Sequence, residues 1–123
     1  MPDPKPFVSI IIPVYRNWKT LCQTVDALKR QTWWARDRLE VILVNNDPSD
    51  SWPPCFSNQT HLRTIVEEKP GSYAARNKGI RASRGILLGF CDADCIPCPD
   101  WIEAVIDFLS QNPGCSRVAG RIE

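Results

Sequence analysis

The sequence predicts an α/β fold built on a doubly wound, mostly parallel sheet flanked by helices. Three observations carry that expectation. Apolar, β-branched runs at Phe7 to Pro13 and Leu39 to Val44 lack the alternation of a half-exposed strand, so they read as strands covered on both faces. Between them the period lengthens, and Leu21, Val25 and Leu28 fall on one helical face. Strand and helix then keep alternating along the chain, as a doubly wound sheet requires.

Taken in order, Phe7-Val8-Ser9-Ile10-Ile11-Ile12-Pro13 opens the sheet. Asn17 is placed to cap a first helix that is expected to end near Thr32. The second strand closes in Asn45-Asn46-Asp47-Pro48-Ser49-Asp50, a run of turn-forming residues. Residues 48–60 are rich in Pro, Ser and Asn and read as a loop. A short third strand from Arg63 to Glu67 is broken by Pro70-Gly71. Ser72 suits the cap of a second helix running to Ser83, which Gly85 stops. Ile86 to Cys91 is a fourth strand, and Asp92 to Cys98 is a loop. Pro99 suits the first position of a third helix whose apolar face is Trp101, Val105, Phe108 and Leu109, ending at Asn112-Pro113-Gly114. A fifth strand is expected from Val118 to Ile122.

Length and composition fit one domain over residues 1–123, with 43% hydrophobic and 24% charged residues, which argues against disorder. A net charge of +1 gives no electrostatic reason to expect nucleic acid as a partner. No run approaches the roughly 20 apolar residues of a membrane span, and the Phe7 to Val14 run is interrupted by Ser9 and Pro13, unlike a secretory signal. The chain therefore reads as cytoplasmic, with a peripheral place at the inner face of a membrane still open to it through a partner or a further segment. Cys95-Ile96-Pro97-Cys98 has zinc-type spacing, but a second such pair is missing and His61 is the only histidine. The six cysteines read more simply as buried or loop thiols.

In such a sheet, ligands bind beyond the carboxyl ends of the strands, near the reversal of strand order. That rule selects Pro13-Val14-Tyr15, Asn45-Asn46-Asp47, Glu67 to Gly71 and Asp92-Ala93-Asp94. Two carboxylates one residue apart repel unless a cation lies between them, and Mg²⁺ or Mn²⁺ commonly joins such groups to a substrate phosphate. A solvated acidic turn or helix cap explains the same pair. Arg76 could meet a phosphate or a base, but with Lys78, Arg81 and Arg84 nearby a solvated helix face is the simpler account. Tyr15 could equally be a lip of the core.

These segments, in their order, resemble the family 2 glycosyltransferases of the GT-A fold. The resemblance is carried by Val8-Ser9-Ile10-Ile11-Ile12-Pro13-Val14-Tyr15, by Glu40-Val41-Ile42-Leu43-Val44 and its polar turn, by Ala75-Arg76-Asn77-Lys78-Gly79, and by Phe90-Cys91-Asp92-Ala93-Asp94. It implies a nucleoside-diphosphate-sugar donor, often a UDP-sugar, held with Mn²⁺ or Mg²⁺. It implies that Pro13 and Tyr15 line the base pocket, that Arg76 contacts base or diphosphate, that Asp92 approaches the ribose or sugar, and that Asp92 and Asp94 face the metal, Asp94 binding it directly.

One departure stands out. Family members usually carry an Asp directly after the second strand. Here Asn45 takes that position and Asp47 follows two residues later, so both are candidates for nucleotide contact. The family's catalytic domain is also about twice as long. The resemblance therefore implies that residues 1–123 are the N-terminal donor-binding part, that the general base of an inverting transfer lies elsewhere, and that this chain alone transfers no sugar. The acceptor, whether saccharide, lipid-linked or protein, is left open. Two competing readings share the pattern: a nucleotide-binding module that does not catalyse and acts through a partner, and a receiver-like regulatory domain. The latter is disfavoured because the first strand ends in Pro13-Val14-Tyr15 rather than in acids.

Overall fold

The computed structural model describes residues 7–34, 38–50, 56 and 61–115. Among these, β1 (Val8–Val14), β2 (Leu39–Asn45), β3 (Leu62–Val66) and β4 (Leu87–Phe90) form one parallel sheet in the order β3-β2-β1-β4. Helices α1 (Trp18–Lys29), α2 (Ser72–Ala82) and α3 (Trp101–Gln111) accompany it. The chain steps outward from β1 through β2 to β3, then returns past β1 to β4. Crossovers between parallel strands are right-handed, so the reversal in direction sends α1 and α2 to opposite faces.

Strand alternation decides what each face buries. Val8, Ile10, Ile12, Val14, Leu39, Val41 and Leu43 point to one face, where Leu21, Val25 and Leu28 of α1 and Ile102 and Ile106 of α3 cover them. Ile11, Ile42 and Val44 point to the other, where Ala75 of α2 meets them. Gly79 lets α2 lie close, because a Cβ there would overlap the Ile11 side chain. The two central strands are thus covered on both faces, as their continuous apolar runs require.

Local boundaries differ from expectation for identifiable reasons. Helix α1 ends at Lys29 rather than near Thr32, because Arg30 and Gln31 turn back onto the carbonyls of Ala27 and Leu28. Asn17 occupies the cap position of α1, but its carboxamide accepts from the Tyr15 amide at 3.0 Å instead of capping. Gly71, not Ser72, sits at the cap of α2, at φ 110°. In α3 the cap is Asp100, one residue beyond Pro99, and the buried face is Ile102 and Ile106. Phe108, expected to face inward, is exposed, because the inward direction is set by the Ile102–Ile106 pair. The fifth strand, from Val118, lies outside the described residues.

At the amino edge of the sheet, Ser9 and Glu40 are register partners and emerge on the α2 face. Glu40 is 2% exposed, so an ionised carboxylate must find partners there. Ser9 Oγ donates to it at 2.6 Å, the Arg84 amide at 2.7 Å and Arg63 Nη1 at 2.8 Å. Arg63 also donates to the Ala82 carbonyl at 2.9 Å, and the Gly85 amide donates to Ser9 Oγ at 2.8 Å. One buried carboxylate therefore fastens the α2–β4 connection to β1, β2 and β3. Burial pushes the Glu40 carboxyl up, but hydrogen bonds from Ser9 and the Arg84 amide, then the Arg63 hydrogen bond and charge, outweigh it and hold it below the usual range.

Removing Glu40 leaves Arg63 without its buried partner. Glu40→Ala is expected to cost about 1–3 kcal/mol in urea unfolding at neutral pH, because Ser9 and the Arg84 amide lose a buried acceptor while Arg63 stays partly exposed and bonded to Ala82. A carboxylate held low contributes stability above its unfolded pKa and loses that contribution as pH falls through the folded one. Glu40→Gln should therefore lower stability at neutral pH and flatten its decline in the acid range below about pH 4. An unchanged acid limb in the variant would refute the assignment.

Candidate functional site

The reversal of strand order opens a cleft between the carboxyl ends of β1 and β4. It encloses about 280 Å³ and is lined by Pro13, Val14, Tyr15, Asn17, Asn46, Ser72, Asp92, Ala93 and Asp94. Of the expected site residues, Pro13, Tyr15, Asp92 and Asp94 line it, while Arg76 reaches its rim. Asn45 and Asp47 are buried and are not among its lining residues.

Tyr15 leaves β1 at a turn that Asn17 holds, and the residue is 59% exposed. Arg16 follows in the left-handed region at φ 61°, which is uncommon for a side chain larger than Asn. Its Nε donates to Asp47 Oδ2 at 2.5 Å, tying the β1 turn to the β2 turn. Asp47 also accepts from the Ser49 hydroxyl at 2.6 Å and the Ser49 amide at 3.1 Å. The Ser49 hydroxyl first, and then Arg16, hold its carboxyl below the usual range. Asn45 spends its carboxamide on the same turn, accepting from the Asp47 amide and donating to the Asp50 carbonyl.

Asn46 is the member of this trio that faces the cleft. Parity explains why: Asn45 continues the α1 face of β2 with Leu39, Val41 and Leu43, and Asn46 turns toward α2. Its Nδ2 donates to the carbonyls of Glu67 at 3.0 Å and Lys69 at 2.6 Å, and its Oδ1 accepts from the Gly71 amide at 2.9 Å. One side chain thus sets the segment that leads into α2. The amino end of α2 meets the cleft through Ser72, and one turn on, Arg76 Nη2 lies 3.4 Å from Asp92 Oδ1 in an exposed pair.

Ala93 is buried in the core and the aspartates on either side of it are exposed, so both carboxylates leave the same side of the loop. A carboxylate oxygen from each and Cys95 Sγ lie within 4.8 Å of one another, a spacing that suits a divalent cation. Cys98, the other half of the zinc-type spacing, is exposed and outside this group. Helix α1 and the turn that follows it hold the loop from below. Thr24 Oγ1 donates to the Cys95 carbonyl at 2.7 Å, Gln31 Nε2 donates to the Cys98 carbonyl, and Gln31 Oε1 accepts from the Ile102 amide. Burial, together with Cys95 and the nearby aspartates, pushes the Cys91 thiol up to about 12, so it stays protonated in the core. The supporting roles of Asn46, Thr24 and Gln31 are not among the expectations drawn from sequence, although strand parity was the signal that could have found Asn46.

The model of the family described as "Glycosyl transferase family 2" matches residues 9–121. The chain belongs to glycosyl transferase family 2. The glycosyltransferase AglE of Haloferax volcanii is 37% identical over 123 residues, covering 96% of this chain and 40% of that protein. The mannosyltransferase PcManGT of Pyrobaculum calidifontis, solved in complex with GDP-Man and Mn²⁺, superposes with a TM-score of 0.75 at 25% identity, covering 89% of this chain and 34% of that one. TarS of S. aureus, residues 1–349 in complex with UDP, superposes at 0.72 with 20% identity and shows the same GT-A fold, covering 85% of this chain and 32% of that one. This family 2 chain spans less than half the length of each. Among its described residues no helix is long and apolar enough to cross a membrane.

The role of Asn46 in this family 2 site is open to a direct test. Asn46→Asp is nearly isosteric, but a carboxylate accepts only. It can keep the Gly71 contact, but it faces the Glu67 and Lys69 carbonyls with no donor. The expected cost is about 1–3 kcal/mol in thermal unfolding, with faster amide exchange at the first turn of α2. Unchanged exchange there would show that the clasp does not set the α2 entry.

Proposed function

We propose that residues 1–123 are the donor-binding part of a metal-dependent, inverting glycosyltransferase that takes its sugar from a nucleoside diphosphate, UDP in the first instance. The observation that carries this reading is the meeting of Tyr15, Asp92, Asp94 and the amino end of α2 around one cleft at the strand reversal. PcManGT and TarS, which share the fold, are described with GDP-Man and UDP respectively, which supports a nucleotide-sugar donor without choosing the base.

Each group has a task its chemistry suits. The exposed Tyr15 ring offers a face for a base to lie on. The first amides of α2 and their partial positive charge suit a diphosphate. Arg76 is near enough to Asp92 to release it and turn to a phosphate oxygen, since an exposed pair at 3.4 Å is weak. Asn45 and Asp47 act on the nucleotide pocket through the turn they brace, beside Asn46, which reaches the cleft itself. The donor set of Asp92 and Asp94 fits Mn²⁺ or Mg²⁺, and such an ion offsets negative charge on a departing diphosphate. Among the described residues, the carboxylates of the cleft are taken up by the metal, so we assign the general base for an acceptor hydroxyl to a group outside these residues.

Calorimetric titration of UDP is expected to show tighter binding with Mn²⁺ than with EDTA, and Asp94→Ala should remove the difference. Superimposable titrations in the wild type would sink metal dependence. Arg76→Ala is expected to weaken UDP binding by about 1.5–3 kcal/mol, the range for a hydrogen bond to a charged group. Arg81→Ala, further along α2, should leave binding nearly unchanged. Equal losses in the two variants would return Arg76 to the solvated face.

A further inference from the structure

The acidic edge of the cleft contains a third potential ligand that donor binding leaves unused. Cys95 Sγ lies within 4.8 Å of a carboxylate oxygen on Asp92 and one on Asp94. The three atoms therefore fall within the reach of one ion, and they mix two hard donors with one soft one. Carboxylate oxygens alone suit Mg²⁺ and Mn²⁺, whereas a thiolate shifts preference toward thiophilic ions such as Zn²⁺, Co²⁺ and Cd²⁺.

Cys95 is also held in place. Its amide donates to the Asp92 carbonyl at 3.1 Å, closing a turn that folds the thiol back over the first carboxylate. Its carbonyl accepts from the Thr24 hydroxyl, which is fully buried in α1. Three residues on, the Cys98 carbonyl accepts from Gln31, which is 4% exposed. A ligand on a frame fixed at both ends loses little freedom on binding an ion. Packing against the core accounts for a small apolar residue at this position, but not for its place beside both carboxylates. The neighbouring thiols lack that place: Cys91, which meets Cys95 from the core side, and the exposed Cys98 both fall outside the group.

We propose that Cys95 supplies a thiolate ligand to the ion held by Asp92 and Asp94, so that this site selects thiophilic divalent ions over Mg²⁺. The proposal rests on the metal-dependent reading above. The sulfur–metal bond forms as the thiol proton is released to solvent, with no change of oxidation state.

The test titrates the reduced 123-residue chain with Co²⁺ and with Cd²⁺ in the presence of UDP. It follows thiolate-to-metal charge-transfer absorption in the near ultraviolet and measures affinity by competition with a chromogenic chelator. Wild type and Cys98→Ser are expected to develop the band, and Cys95→Ser to lack it. Losing a group that only orients a ligand costs about 10–100-fold in metal affinity, so Cys95→Ser should lose at least about tenfold for Cd²⁺. Its Mg²⁺ affinity should change by less than about twofold, because the carboxylates remain. Should Cys95→Ser fold poorly, the wild type alone decides, through protection of Cys95 from alkylation by bound Cd²⁺, located by mass spectrometry. A Co²⁺-loaded wild type without the band, or a Cys95→Ser chain with unchanged band and Cd²⁺ affinity, overturns the proposal. If Mn²⁺ still tightens UDP binding in that case, only the role of Cys95 fails. If no divalent ion binds the wild type, the metal-dependent reading fails with it.

Discussion

The carboxyl edge of the sheet is organised by one carboxamide. Asn46 donates to two carbonyls after β3 and accepts from the amide that opens α2, so the whole stretch from Glu67 to Gly71, distant in sequence from β2, is gathered on a single side chain. The arrangement needs a group that is donor and acceptor at once, which an ionised carboxylate cannot be. From that clasp follow the direction in which α2 leaves the sheet, the place of Ser72 in the cleft wall and the reach of Arg76 toward Asp92. The turn of β2 is braced on its other side by Asn45 and by the Arg16–Asp47 pair. Polar side chains at the strand ends thus work as scaffold as much as ligand contact.

A second polar centre sits at the opposite edge. The Glu40 carboxylate binds three strands and the α2–β4 connection from within the sheet's own face. The two centres divide the fold. Hydrophobic burial specifies that the layers stack, and it is indifferent to small shifts of one layer over another. The directional contacts at the two edges supply the registration that burial lacks, and the cleft depends on it.

Much of this was legible in the residues. The unbroken apolar runs of β1 and β2 announce strands covered on both faces, and Leu21, Val25 and Leu28 mark the inner side of α1. The polar segments after β1 and β4 mark the site because ligand sites follow strand ends. What escaped reading is what depends on distant partners. Glu40 and Ser9 look like interruptions of apolar strands until their register pairs them. Nothing local shows that the amide of Gly71 will meet Asn46, or that Ile102 rather than Phe108 will face the core. Turn chemistry identified residues 45–50 as a turn, but only strand parity separates Asn46 from its neighbours.

The close approach at Gly79 has a wider meaning. The distance between α2 and β1 is set there by the absence of a methyl group. Arg76 lies one turn earlier on the same helix, so its height above the cleft floor is fixed by a residue that never touches a ligand. A side chain at Gly79 would act as a wedge, lifting the helix and with it Arg76. The geometry of recognition is in this sense gauged from underneath, by a spacer of zero thickness.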